Sequence, residues 1–190
     1  NIYGLSKSIM ERMFCSLNSD STTKFSCVRF GNIAWSTGSI FPIWKQMTLK
    51  QKFIQSTGPK MRRFFFTVDE ASELVIRALD NVNIIAGSVL TQKLKSTQID
   101  QILDIWCQKF GVKWKAIERR LGDKDDEYLI GDLELQNTKK INLNSLEHYL
   151  ITFNKYYENH IKESLSSLNA ERLSGDEILN LINSEPTSES

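Results

Sequence analysis

Ile2-Tyr3-Gly4-Leu5-Ser6-Lys7 opens a helical run, and Phe25-Ser26-Cys27-Val28-Arg29-Phe30 follows it as a short apolar run closed by Gly31-Asn32. These two stretches decide the fold. Between Tyr3 and Leu17, the residues Ile9, Met10, Met13, Phe14 and Leu17 recur at helical spacing and form an apolar face. Asn18 to Thr23 is polar and reads as a turn. Phe25 to Phe30, bounded by a glycine and an asparagine, predicts a short buried strand. Helix then buried strand is the alternation from which mostly parallel sheets are built.

The same alternation continues outward. Phe41 to Leu49 predicts a helix with Pro42 in its first turn, where a missing N–H costs nothing. Arg63 to Thr67 reads as a strand. Thr67 then caps a helix over Val68 to Asn81, and Glu70 completes a capping box. Ala86 to Leu90 predicts a strand. Ser96 or Thr97 caps a helix that runs to Phe110 and ends at Gly111. Val112 to Ile117 predicts another strand. After Glu134 the character changes: Asn142 to Phe153 gives mixed signals, while Ser174-Gly175-Asp176-Glu177 caps a short helix carrying Ile178, Leu179, Leu181 and Ile182. That helix either packs on the body or mediates oligomerisation. Glu185 to Ser190 is polar and is expected to be a disordered tail. The class is α/β, without internal repeats.

Composition narrows the function. The chain has 190 residues, 41% hydrophobic and 25% charged, as in an ordinary globular domain with one sizeable core. A net charge of +1 argues for neither nucleic acid nor an anionic membrane as partner. Any anion must be met by local arginines. Cys15, Cys27 and Cys107 lack metal-ligand spacing and read as small buried hydrophobes, which suits a reducing cytoplasm. His148 and His160 stand apart from any cysteine or carboxylate cluster, so no metal is expected. No apolar run approaches the roughly 18 residues that span a bilayer.

The chemistry starts with Tyr3 and Lys7. Spacing i,i+4 puts both on one helical face. An ammonium held beside a phenol favours the phenolate, which makes such a pair a candidate proton-transfer device. Gly31-Asn32 follows a strand, and ligands of open α/β sheets bind at the carboxyl ends of strands. Ser36-Thr37-Gly38-Ser39 is a hydroxyl-rich loop before a helix; Ser39 either caps that helix or meets a ligand. Arg63 either pairs with phosphate or is a solvated strand-edge residue. The same alternative holds for Arg120 and Glu127 in a charged turn.

In order along the chain, Tyr3-x-x-x-Lys7, Val28-Arg29-Phe30-Gly31-Asn32-Ile33, Ser36-Thr37-Gly38-Ser39-Ile40-Phe41-Pro42, Arg62-Arg63-Phe64, and Arg120-Leu121-Gly122-Asp123-Lys124 with Glu127 resemble the extended short-chain dehydrogenase/reductase superfamily. Within it the chain is most similar to the nucleotide-sugar 4,6-dehydratases of polysaccharide biosynthesis, the group acting on UDP-N-acetylglucosamine. The resemblance covers Asn1 to about Glu134. Thr37 stands where many members carry Arg, Arg62 where they carry Thr, and Leu121 where they carry Pro.

The resemblance implies the C-terminal part of a Rossmann-type parallel sheet with a small α/β substrate-binding subdomain. Residues 1–134 would be the C-terminal half of an NAD(P)-dependent domain, residues 135–184 an extension and residues 185–190 the tail. The glycine-rich G-x-G-x-x-G turn of the family is absent from this sequence, so a longer enzyme is expected. The implied cofactor is NAD or NADP, the substrate a nucleotide sugar, the location cytoplasmic and the full-length form a homo-oligomer. Tyr3 would take the proton of the sugar 4-hydroxyl, and Lys7 would hold the nicotinamide ribose. Phe30, Gly31 and Ile33 would border the nicotinamide. Asn32, Ser36, Ser39, Arg63, Arg120 and Glu127 would bind substrate, the arginines at the diphosphate and Glu127 at a ribose. In such enzymes oxidation at C4 acidifies the C5 proton, water leaves across C5 and C6, and hydride returns at C6. The acid and base of that elimination are expected before Asn1. Two other readings stay open: a nucleotide-sugar 4-epimerase, and a non-catalytic binding or assembly module.

Overall fold

The structure, a computed structural model, describes residues 2–19, 22–119 and 121–186. The chain divides into two compact units. Unit 1 comprises Asn1–Phe30, Ser72–Lys93 and Tyr128–Ser166. Unit 2 comprises Gly31–Ala71, Leu94–Glu127 and Ser167–Ser190.

The elements, in chain order, are α1 (Ile2–Leu17), β1 (Cys27–Val28), β2 (Asn32–Ile33), α2 (Ile40–Gln51), β3 (Phe53–Thr57), β4 (Arg62–Phe66), α3 (Val68–Asp80), α4 (Val82–Ile85), β5 (Val89–Gln92) and β6 (Ser96–Gln98). They continue with α5 (Ile99–Phe110), β7 (Lys113–Ile117), β8 (Tyr128–Ile130), a 3-10 turn over Asp132–Asn137, β9 (Thr138–Leu143), β10 (Leu146–Ile151), β11 (Leu165–Ser166) and α6 (Gly175–Asn183). The class is α/β, as the alternation of elements predicts.

In unit 1 the sheet order is β1-β5-β10-β9. The strands β1 and β5 run parallel, whereas β10 is antiparallel to both β5 and β9. The mixed signals of Asn142 to Phe153 belong to the β9–β10 hairpin. Its two-residue turn, Asn144-Ser145, has φ of 51° and 66°, the left-handed pair that matches strand twist. Leu74 and Ala78 of α3 pack with Leu90, Leu143 and Leu150 on one side of the unit. A second cluster joins Cys15, Val89, Ile130, Tyr149 and Ile151.

The face of α1 that the periodicity marks as apolar is not inward. Ile9, Met10, Met13, Phe14 and Leu17 are between 40% and 60% exposed. The inward row is instead Glu11 and Cys15, one turn apart.

In unit 2, β4 is paired on one side with β2 in parallel and on the other with β6 in antiparallel, while β3 and β7 form a separate parallel pair. Phe64, Phe65 and Phe66 are all buried, which accounts for their run as a central strand. Phe41, Trp44 and Trp106 form an aromatic core with ring centroids near 6 Å apart (5.9 to 6.1 Å). The tail helix α6 packs on α5 and adds Ile178, Leu181 and Ile182 to this core. Ser174 and Glu177 form its capping box.

Some boundaries move. The strand read over Phe25 to Phe30 pairs as a ladder only at Cys27–Val28, and that read over Ala86 to Leu90 begins at Val89. Ser96 and Thr97 lie in β6, so the cap of α5 falls on Gln98, which shares a capping box with Gln101. Strand β3 has no counterpart in the periodicity. Part of the expected tail, residues 187–190, lies outside the described residues. Among the described residues no helix is long and apolar enough to cross a membrane.

Candidate functional site

Unit 1 carries the tyrosine and lysine. Helical spacing places Lys7 one turn beyond Tyr3, and its Nζ lies 5.2 Å from the centre of the Tyr3 ring. Tyr3 is 71% exposed, so its phenol is open to a ligand. The sequence thus brings together the phenol and the ammonium on one accessible face.

The same helix is tied down by a knot with no local sequence signal. Glu11, one turn after Lys7, accepts from Arg29 at both carboxylate oxygens, with Nε–Oε1 at 2.9 Å and Nη2–Oε2 at 2.6 Å. Arg29 also donates to both oxygens of Glu134, each at 2.9 Å, and to the Leu129 carbonyl at 2.7 Å. All five N–H groups of the guanidinium are therefore used. Burial opposes the Arg29 charge, but Glu11 and Glu134 hold it above the ordinary arginine value. Burial likewise opposes the Glu134 charge, and Arg29 overrides it, keeping that carboxyl below its usual range.

Unit 2 brings together Asn32, Arg63 and Glu127. The Asn32 amide donates to Glu127 Oε2 and to the Phe64 carbonyl, both at 3.0 Å. Arg63 Nε lies 3.1 Å from Glu127 Oε1. The remaining Arg63 donors go to the carbonyls of Arg62, Asp125 and Lys124 and to the Met61 sulfur. Burial raises the Glu127 carboxyl above the usual carboxylate range, against the pull of Arg63 and Asn32. The two residues expected at separate points of a nucleotide are thus paired with each other. Beside them, Arg62 forms a bidentate pair with Asp126 at 2.6 and 2.8 Å, and Ser167 donates to Asp126 at 2.9 Å.

The loop before α2 holds Ser36 and Ser39. Ser36 Oγ donates to the Ile33 carbonyl at 2.9 Å. Ser39 occupies the N-cap position of α2 but makes no side-chain cap bond, and its Oγ is buried without a partner. Gly31 has a packing reason: a Cβ there would stand 2.7 Å from Phe64 Cβ, so the β2–β4 pairing requires glycine. Ile33 pairs with Phe66 in that ladder. Phe30 packs, half-buried, against the Leu74–Leu90 cluster of unit 1. Arg120 lies outside the described residues.

A nicotinamide cofactor presents ribose hydroxyls that need polar partners. An exposed phenol and an exposed ammonium on one helical face match the vicinal hydroxyls of a ribose, so this part of the chain fits one end of such a group.

The family described as "Polysaccharide biosynthesis protein" matches residues 1–148. An uncharacterized membrane protein of Methanocaldococcus jannaschii is 31% identical over 153 residues, covering 74% of this chain and 45% of the relative. The probable polysaccharide biosynthesis protein EpsC of Bacillus subtilis is 44% identical over 78 residues, covering 41% of this chain and 13% of EpsC. UDP-glucose 4-epimerase of Rickettsia rickettsii is 26% identical over 201 residues, covering 96% of this chain and 57% of the epimerase. Thus the chain spans less than two thirds of the length of each of these relatives. Among solved structures, Pen from Bacillus thuringiensis superposes with a TM-score of 0.83 at 24% identity, over 96% of this chain and 56% of Pen. That likeness concerns the fold, which is Rossmann-type α/β.

Proposed function

The chain belongs to the polysaccharide biosynthesis protein family, and on that premise we propose that it serves the NAD(P)-dependent 4,6-dehydration of a nucleotide-activated sugar, UDP-N-acetylglucosamine being the first substrate to test. In this proposal residues 1–134 are the C-terminal half of the dinucleotide-dependent domain and residues 135–184 its extension. The single observation that carries it is the exposed Tyr3 phenol with the Lys7 ammonium 5.2 Å from its ring. Tyr3 takes the proton of the sugar 4-hydroxyl, and Lys7 holds the ribose hydroxyls of the cofactor. The bound nicotinamide supplies a hydride acceptor that later gives the hydride back, so no net redox change results.

The substrate side is supported by unit 2. Asn32 opens β2 with its amide on Glu127 and the Phe64 carbonyl, rather than following a strand, and Ser39 has a buried hydroxyl without a partner. Arg63 would carry the diphosphate by exchanging Glu127 and the loop carbonyls of Lys124 and Asp125 for phosphate oxygens. Glu127, released from Arg63, would accept from ribose hydroxyls. A second reading, 4-epimerisation, is favoured by one observation: the Rickettsia epimerase aligns over 96% of this chain. It uses the same Tyr3 and Lys7.

The test is the Tyr3→Phe variant of the intact protein. Turnover of UDP-N-acetylglucosamine should fall by roughly 100- to 10,000-fold, with calorimetric binding of the nucleotide sugar unchanged. Turnover at the parent rate would remove Tyr3 from the mechanism.

A further inference from the structure

Cys15 and Cys27 take part in none of the chemistry described above. Cys15 is 5% exposed on the inner row of α1, and Cys27 is half-buried on β1. They pack in one apolar cluster with Val89, Ile130 and Ile151. Within that cluster the two thiols interact, each shifting the other's proton affinity.

The contact is held in register by its neighbours. Glu11 and Cys15 are one helical turn apart, about 6 Å along the axis. Cys27 and Arg29 are alternate residues of an extended segment, about 6.6 Å apart and on one face. The two spacings match, so the Arg29–Glu11 pair at 2.6 Å holds Cys15 opposite Cys27.

We propose that Cys15 and Cys27 form a reversible disulfide, a redox modification site that fastens α1 to β1. The Cys27 thiolate attacks an oxygen of hydrogen peroxide, forming a sulfenic acid and releasing hydroxide, which takes up the proton that Cys27 gave to solvent and becomes water. Cys15 then attacks the sulfenic sulfur, and the hydroxyl leaves as a second water with the Cys15 proton. Two thiols lose two protons and two electrons, and one peroxide becomes two waters. The assignment of roles follows the environment. The interaction with Cys15 draws the Cys27 thiol below its ordinary value, against burial. The same interaction, together with burial, pushes Cys15 up. Glu11 raises both and Arg29 lowers both. Cys107 is raised by burial and serves as an internal reference. Because α1 also carries Tyr3 and Lys7, the bond would fix the far end of that helix. The site rests on the packing of both cysteines in one cluster beside the Glu11–Arg29 pair and is independent of the reaction proposed above.

Trypsin makes the test direct. Cleavage after Arg12, Lys24 and Arg29 leaves Cys15 in the peptide Met13–Lys24 and Cys27 in Phe25–Arg29. The protein is treated with hydrogen peroxide, alkylated, digested without reductant and analysed by mass spectrometry. The two peptides should appear joined, two hydrogens lighter than their sum, and separate with dithiothreitol. Cys27 should be consumed faster than Cys107, because the first thiol is lowered and the second raised. In Cys15→Ser, Cys27 should accumulate as a sulfenic acid trapped by dimedone. Both cysteines surviving as alkylated thiols, Cys27 passing to sulfinic acid without cross-linking, or disulfides made only through Cys107 would each overturn the proposal. If the serine variant misfolds, the peptide map of the unaltered protein decides alone.

Discussion

Replacing Arg29 by methionine tests the knot that holds the tyrosine helix. The substitution keeps much of the apolar stem and removes five donors. It leaves two carboxylates, Glu11 and Glu134, with side chains only 14% and 25% exposed, and no cation between them. Breaking a buried pair by removing one partner costs about 3–5 kcal/mol, because the remaining charge has neither water nor counter-ion. The expected loss in urea unfolding, followed by far-ultraviolet circular dichroism, is in that range. The pH dependence sharpens the test. In the parent, Glu134 is held below the ordinary carboxylate range, so its contribution is present above the unfolded value near 4.3 and is lost as pH falls through the folded one. In Arg29→Met only the Gly131 N–H and Arg12 still oppose burial, so that carboxyl should rise and the variant should gain stability from pH 7 to pH 5. Adding Glu11→Gln and Glu134→Gln should recover more than half of the deficit. A deficit under about 1 kcal/mol, the range of exposed pairs, would refute the reasoning, as would one that neither shrinks with acid nor responds to the glutamines.

His148 and the hairpin turn give two further tests. His148 is fully buried, with Nδ1 2.8 Å from the Leu146 carbonyl and Nε2 3.1 Å from Arg77 Nη1, an arrangement that suits the neutral ring. Burial lowers its folded value, so its contribution is complete above about 6.5 and lost as pH falls. The urea midpoint should drop between pH 7.5 and 5.5, and His148→Gln should flatten that slope. Ser145 has φ of 66°, and the preceding Asn144 suits the same turn type. Ser145→Gly should raise the melting temperature by the equivalent of up to about 1 kcal/mol, whereas a lower one would contradict the turn assignment.

Legibility follows the distance over which the signal acts. The helices were readable because their caps and periodicity are local: Thr67 with Glu70, Ser174 with Glu177, Gly111 with φ of 64°. The β9–β10 hairpin was not, because its turn is Asn-Ser rather than the Asn-Gly that marks such turns. Strand β3 carries no apolar alternation because its inward residues are Ile54 and Ser56, so a buried serine interrupts the pattern. Ser96 and Thr97 look like helix caps, but pairing with β4 takes them into a strand. The exposed face of α1 shows the opposite failure, in which periodicity marks an apolar face without saying what it meets. At the candidate site Tyr3 and Lys7 are one turn apart and could be read directly. Asn32 and Glu127 are 95 residues apart, and Arg29 and Glu134 are 105 apart. The resemblance named Asn32, Arg63 and Glu127 one by one, but no local pattern encodes their pairing with each other.

Mass and isotope content of the product test the central claim together. The intact protein would be incubated with UDP-N-acetylglucosamine and NAD(P) in heavy water, with Tyr3→Phe alongside. Elimination of water gives up the C5 proton to solvent and takes one back. The expected product lacks one water and carries deuterium at C5, and is formed by the parent protein and not by the variant. An isomer of unchanged mass without deuterium at C5 would contradict dehydration in favour of epimerisation, and unaltered substrate would contradict the assigned reaction on this sugar.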